Sequence, residues 1–233
     1  FLSAAKTRSG PPVAMVNGTQ FNAYYDPKQP ITFPDNCPLS AGMLMTGGRI
    51  IHSGYAVTLG YTIDGKWLID KVGTSIKLCP QDKYESTLTG VNMFSDGRSA
   101  TILYTPEIGL PVPIPPGSTV YVVRDGIAES PQTGLTSLTV KNGTYALVFH
   151  ERAWCIPPDP GTRADIVYEF TPTKREEEGD WKNVTMAVAA GPLLLWNGQN
   201  VVNDPGLNGG FINSSKHQGV AQRTFIGVKP DNT

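Results

Sequence analysis

Apolar residues in this chain fall in short β-branched and aromatic runs instead of recurring at helical spacing. No window of twelve or more residues free of Pro and Gly carries an i, i+3, i+4, i+7 stripe, so long amphipathic helices are not expected. Two hairpins are predicted. In one, residues 55–63 and 66–69 flank Asp64-Gly65, a pair that tolerates the positive φ angles of a two-residue type I′ turn. In the other, 138–140 and 145–149 flank Asn142-Gly143. Further strands are predicted at 13–16, 42–45, 100–104, 119–124, 166–170, 184–189 and 224–228. The run PVPIPP at 111–116 lacks ladder donors and reads as an extended connection; 155–161 and the charged stretch 174–180 read as loops. The pattern predicts a β-dominated α+β fold, a mixed or antiparallel sheet domain with hairpins and few helices. Residues 1–12 form a polar, proline-ended arm, and 13–233 a single domain with a strand-rich insert at about 95–172.

Composition narrows the function classes. The 233 residues carry 19 Lys plus Arg against 20 Asp plus Glu, so there is no basic footprint for nucleic acid or an anionic membrane. No apolar stretch approaches the roughly 18–20 residues of a membrane-spanning helix. Cys37, Cys79 and Cys155 allow one disulfide and one thiol, or no bridge at all, and their spacing fits no zinc pattern. The numbering opens at Phe1, which points to a processed or partial chain. Four N-x-Ser/Thr sequons start at Asn17, Asn142, Asn183 and Asn213. Asn142 is the best glycan acceptor because it stands at a predicted turn tip, with Asn213 and Asn183 behind it. Low charge and sequons together favour a secreted or extracellular protein.

Generic catalytic motifs do not occur: there is no G-x-S-x-G, P-loop, dinucleotide fingerprint, H-E-x-x-H or C-x-x-C, and neither a cofactor nor a metal is expected. His52, His150 and His217 stand on separate segments without ligand spacing and read as ordinary surface or hydrogen-bonded residues. Cys155, beside Trp154, reads as a buried small thiol. Asp64 and Asp125 each precede a glycine and read as turn residues.

Five segments in order carry a more specific signal. They are VAMVNGTQF at 13–21, LSAGMLMTGGRIIHSG at 39–54, GVN at 90–92 with ATILYTPEIG at 100–109, AVAAGPLLLWNG at 187–198, and QRTFIGV at 222–228. In this order the chain resembles the phosphodiester glycosidases, a family that cleaves sugar 1-phosphodiesters. The resemblance implies hydrolysis at the glycosidic carbon, a carbohydrate or sugar-phosphate ligand, and substrate-binding roles for Asn17, Gly18, Asn92, Arg223 and Thr224. Arg223 suits the task because its guanidinium fork matches a phosphodiester bidentately. Asn17 has a second reading as an Asn-Gly turn or glycan site, and Asn92 a second reading as turn chemistry. Two departures stand out: Thr19 replaces the family's second glycine, and the Asp-Gly-Gly-Gly-Ser motif does not occur within the 233 residues. Glycosidic cleavage normally needs two carboxyl groups about 5–10 Å apart, and the sequence assigns no such pair. The rival expectation is a noncatalytic, glycosylated extracellular protein that pairs with itself, or with a second polypeptide, through the exposed edge of strand 224–228.

Overall fold

The computed structural model describes residues 42–54, 56–94, 98–208 and 226–229. The arm at 1–12, the strand at 13–16, Cys37 and His217 lie outside them, as do all but the 226–228 portion of the strand at 224–228.

In chain order the first strands are β1 (Leu44–Thr46), β2 (Arg49–His52), β3 (Ala56–Thr62), β4 (Trp67–Pro80), β5 (Ser86–Thr87), β6 (Gly90–Val91), β7 (Thr101–Tyr104) and β8 (Val112–Pro113). Then come β9 (Thr119–Arg124), β10 (Ile127–Ala128), β11 (Gln132–Thr133), β12 (Ser137–Leu138), β13 (Thr144–Phe149), β14 (Ala164–Pro172), β15 (Val184–Ala190), β16 (Leu195–Trp196) and β17 (Gln199–Asn200). Helix among the described residues is confined to the 3₁₀ turns Pro106–Ile108 and Arg175–Glu177 and the single turns Glu178–Trp181 and Pro205–Asn208. The fold is therefore β-dominated, as the short apolar runs require.

The larger sheet runs β14-β4-β3-β15-β1-β2 and is antiparallel throughout, with β5 added to β4. The smaller runs β10-β9-β13-β7-β6, with β11 on β9, and its β6–β7 pair is parallel. One core draws from both sheets: Leu68, Val72, Ile76, Leu78 and Ala187 from the larger, Val91, Leu103, Val123, Leu147 and Phe149 from the smaller. A second core, with Ile102, Tyr104, Val112, Ile114, Val120, Ala146 and Val148, covers the smaller sheet's other face. Being buried on both faces, that sheet is written as near-continuous apolar runs such as TILY and TYALVF. β4 alternates instead, placing Leu68, Asp70, Val72, Ile76 and Leu78 on the buried face.

Several expectations are corrected. Asp64-Gly65 does join β3 to β4, but only Gly65 has positive φ (87°). Thr62 and Lys66 close the ladder across the three residues between them, with the Thr62 N–H donating to Lys66 O at 2.9 Å. This is a three-residue loop with glycine in the left-handed position. The two-residue form with both angles positive occurs at Asp125-Gly126 (51° and 79°), between β9 and β10. The hairpin expected around Asn142-Gly143 does not form: β12 pairs with β8, while β13 pairs with β9 and β7. Pro113, at the centre of PVPIPP, lies in a two-residue strand facing Ser137 rather than in a mere connection. The charged stretch 174–180 is mostly a 3₁₀ turn running into a helical turn. Residues 226–229 form no strand, so the edge expected there is not present in the described part.

Candidate functional site

Of the five residues assigned to substrate, Asn92 alone lies among the described residues; Asn17, Gly18, Arg223 and Thr224 lie outside them, as does the sequon at Asn213. Asn92 follows β6 in a left-handed conformation (φ 47°) and is buried. Its side-chain amide donates to Ile51 O and to Thr105 Oγ1, both at 2.7 Å, and its Oδ1 accepts the Thr105 N–H at 2.8 Å. Its own N–H donates to Leu103 O at 2.8 Å. Both amide hydrogens are committed inside the protein, so Asn92 ties β2 to the end of β7. Asn142 stands exposed in the Lys141–Thr144 turn, where the Thr144 hydroxyl donates to Lys141 O at 2.8 Å, and Asn183 is exposed just before β15.

The remaining residues singled out from the sequence find ordinary partners. His52 is buried with Nδ1 3.0 Å from Gly42 O, and burial lowers its pKa. His150 is buried and its N–H donates to Ala100 O at 2.9 Å. Cys79 and Cys155 are free thiols. Cys155 is partly exposed, with Sγ 3.1 Å from Thr87 O, and its neighbour Trp154 is 87% exposed. Cys155 nevertheless packs against the first core, so the apolar setting expected for it is there in part, although the 154–157 loop runs along the surface beside residues 83–87.

The structure gathers a polar cluster that sequence reasoning missed. Asp70 sits on the inward face of β4, opposite Thr58 of β3, with no exposed surface. Each carboxylate oxygen accepts one backbone N–H: Oδ1 from Lys71 at 2.6 Å and Oδ2 from Lys174 at 2.8 Å. Burial raises its pKa above the ordinary carboxylate value, the two N–H groups oppose that, and the nearby Glu177 carboxylate adds to the rise. Beside this clamp the Thr173 N–H and hydroxyl both donate to Lys71 O, at 3.1 and 3.0 Å. Together these bonds fasten the link after β14 to the main sheet just past the last ladder pair, Pro172 with Val72.

From that fixed point Lys174 reaches two ways. Its Nζ donates to Glu177 Oε1 at 3.1 Å and lies 4.6 Å from the ring centroid of Trp196 in β16. The link then drops Trp181 into the core against Gly60 and Phe170. The segment bearing Trp196 is secured at its far end by buried Asn208. The Asn208 amide accepts from the Leu193 N–H and donates to Leu193 O and Val201 O, all at 2.8 Å. Lys71 Nζ adds a bond to Gly206 O. The cluster thus places two carboxyl groups, an ammonium and an indole within one connected unit. The sequence held a clue: in WLIDKV, Asp70 occupies the phase of the apolar positions Leu68 and Val72. Among the described residues no group of His, Cys, Asp and Glu is arranged to hold a metal ion.

The family model for phosphodiester glycosidases matches residues 117–233, half of the chain. The protein belongs to the phosphodiester glycosidase family. The matched region takes in Lys174, Glu177 and Trp196, together with Arg223 and Thr224. A hypothetical protein from Synechocystis has the same fold, with a TM-score of 0.61 over 88% of this chain at 16% identity. A protein of Burkholderia pseudomallei described as a candidate exported protein follows, with a TM-score of 0.56 over 78% of this chain at 14% identity. The chain spans 34% and 42% of those two proteins. No curated protein matches it.

Proposed function

We propose that this phosphodiester glycosidase domain hydrolyses sugar 1-phosphodiesters at the glycosidic carbon. The family match over 117–233, which contains Arg223 and Thr224, is the observation that carries the reading. Water adds to the anomeric carbon, the bond from that carbon to the bridging oxygen breaks, and a phosphate monoester leaves with the bridging oxygen. Arg223, Thr224, Asn17 and Gly18 hold the phosphodiester in this reading. Asn92 serves it from behind, by fixing β2 against β7. Export and glycosylation belong to the same reading: a chain passed through a eukaryotic secretory pathway carries a glycan on exposed Asn142.

The test is hydrolysis of the methyl phosphodiester of N-acetylglucosamine 1-phosphate by the purified protein in ¹⁸O-labelled water. Turnover with no label in the released methyl phosphate is expected, because the phosphorus–oxygen bonds stay intact. Arg223→Ala should lower kcat/KM by about 10²–10³-fold, the usual cost of removing a donor to a developing oxyanion. Absence of turnover in the unaltered protein, or label in the phosphate, overturns the proposal.

A second reading, a noncatalytic chain that associates with its own copies, draws on one observation. β14 is a nine-residue strand at the edge of the larger sheet as described. Asp165 and Glu169 place carboxylates along it, paired with Arg163 and Lys77, and such charges blunt edge-to-edge pairing. Sedimentation velocity separates the two: a concentration-dependent dimer abolished by Val167→Lys favours association, and a monomer at all concentrations excludes it.

A further inference from the structure

We infer that Trp196 is the platform on which the sugar ring of the phosphodiester rests, and that Asp70 is the positioning residue that sets it through Lys174. The inference builds on the proposed hydrolysis. Trp196 closes β16 at a tight Asn197-Gly198 turn, both residues having positive φ (50° and 76°), and its side chain stays partly open to solvent beside the 63%-exposed Leu195. A partly exposed indole beside a two-residue hairpin turn offers a flat π surface. The C–H face of a pyranose is the apolar, polarised partner such a surface fits.

The ring does not stand alone. Lys174 Nζ lies over one face of it, 4.6 Å from its centroid and held there by Glu177 Oε1 at 3.1 Å, so the ammonium props the ring from that face and the sugar takes the other. The direction of Lys174 is fixed in turn by its backbone N–H, which Asp70 Oδ2 accepts at 2.8 Å from inside the sheet. Asp70 is wholly buried and touches no ligand; its effect passes through Lys174. The opposite end of the segment is pinned by Asn208. A fully buried carboxylate is a costly way to hold a surface loop, and its placement is accounted for if the geometry of Lys174 and Trp196 matters to the ligand.

The experiment measures steady-state kinetics of the unaltered protein and of Trp196→Ala, Trp196→Phe, Lys174→Met and Asp70→Asn on the methyl phosphodiester of N-acetylglucosamine 1-phosphate. Trp196→Ala should raise KM about tenfold while kcat falls less than about twofold, the signature of lost uniform binding; Trp196→Phe should restore most of it. Lys174→Met should raise KM in the same way. Asp70→Asn should follow Lys174→Met, and the double variant should be no worse than Lys174→Met alone. If Asp70→Asn does not fold, the positioning role of Asp70 is overturned in favour of a structural one, and the platform is judged on Trp196→Ala and Lys174→Met. Unchanged KM in Trp196→Ala alongside normal turnover overturns the inference and leaves the proposed hydrolysis standing. If the unaltered protein shows no turnover, that hydrolysis fails by itself, and the platform is judged by fluorescence titration with N-acetylglucosamine 1-phosphate. A saturable change lost in Trp196→Phe supports it; no change, or the same change in Trp196→Phe, overturns it.

Discussion

Asn92 shows what a single left-handed residue can do. Its backbone bends the chain out of β6, and its amide meets Ile51 O and both the N–H and the hydroxyl of Thr105. Replacing it by alanine leaves the Thr105 N–H and Ile51 O without those partners and removes the short polar side chain that makes asparagine tolerant of φ near 47°. Asn92→Ala should therefore lose about 2–4 kcal/mol of stability, read from the urea midpoint at constant m-value. His52 makes a pH-dependent contribution of the opposite kind to a paired histidine. Burial lowers its pKa below 6.5, so the unfolded chain binds the proton more readily than the folded one. Its contribution is fully present above the unfolded pKa and declines as pH falls from about 6.5 towards the lower folded value. His52→Gln keeps a donor for Gly42 O without titrating. The stability difference between the two proteins should shrink from pH 7 to pH 5 in paired urea titrations; a pH-independent difference contradicts this. At this scale the sequence was partly legible. The turn character of Asn92 and Asp125 follows from residue type, whereas the burial of Asp70 shows only in the phase of an alternating strand.

At the scale of elements, identical dipeptides led to different turns. Asp64-Gly65 and Asp125-Gly126 read alike, yet the strand register around the first leaves three residues in the loop and around the second leaves two. Local sequence cannot decide between them, because the closing pair is chosen by packing across the sheet. The same limit explains the missed partner of β12: Leu138 pairs with Val112, across the intervening β9–β11 ribbon, not with the adjacent run after Asn142-Gly143. Runs whose neighbours were already strands, such as β7, β9, β13 and β15, were legible because both their composition and their boundaries were local. Trp181 tests the packing directly. A Cβ on Gly60 would lie 2.9 Å from the indole Cζ3, and the buried Trp181 has little room to retreat. Gly60→Ala should cost about 1–3 kcal/mol by overpacking. Trp181→Phe should absorb part of that cost in a double-mutant cycle by thermal or urea unfolding; full additivity would mean that the two residues do not touch.

For the whole molecule, the family assignment rests on the match over residues 117–233, and the polar cluster ties that region to β4, joining β4, the link after β14 and the β16–β17 hairpin. Short motifs suggested the family, but they could not show that Asp70 lies beneath Lys174, because those residues are 104 positions apart. The two cores on either side of the smaller sheet also bear on how the protein opens. β13 is bonded to β9 along one edge and β7 along the other, and Ala146, Leu147 and Val148 are almost wholly enclosed. No fluctuation confined to one layer can bring water to that backbone. Amide hydrogens of β13 should exchange with deuterium only through global unfolding, with a protection free energy equal to that from urea denaturation, while those of β16 and β17 exchange through local opening far sooner. Mass-spectrometric exchange at increasing denaturant would show it: the β13 peptide should follow the steep global isotherm, and a shallow isotherm there would mean that the two cores come apart separately.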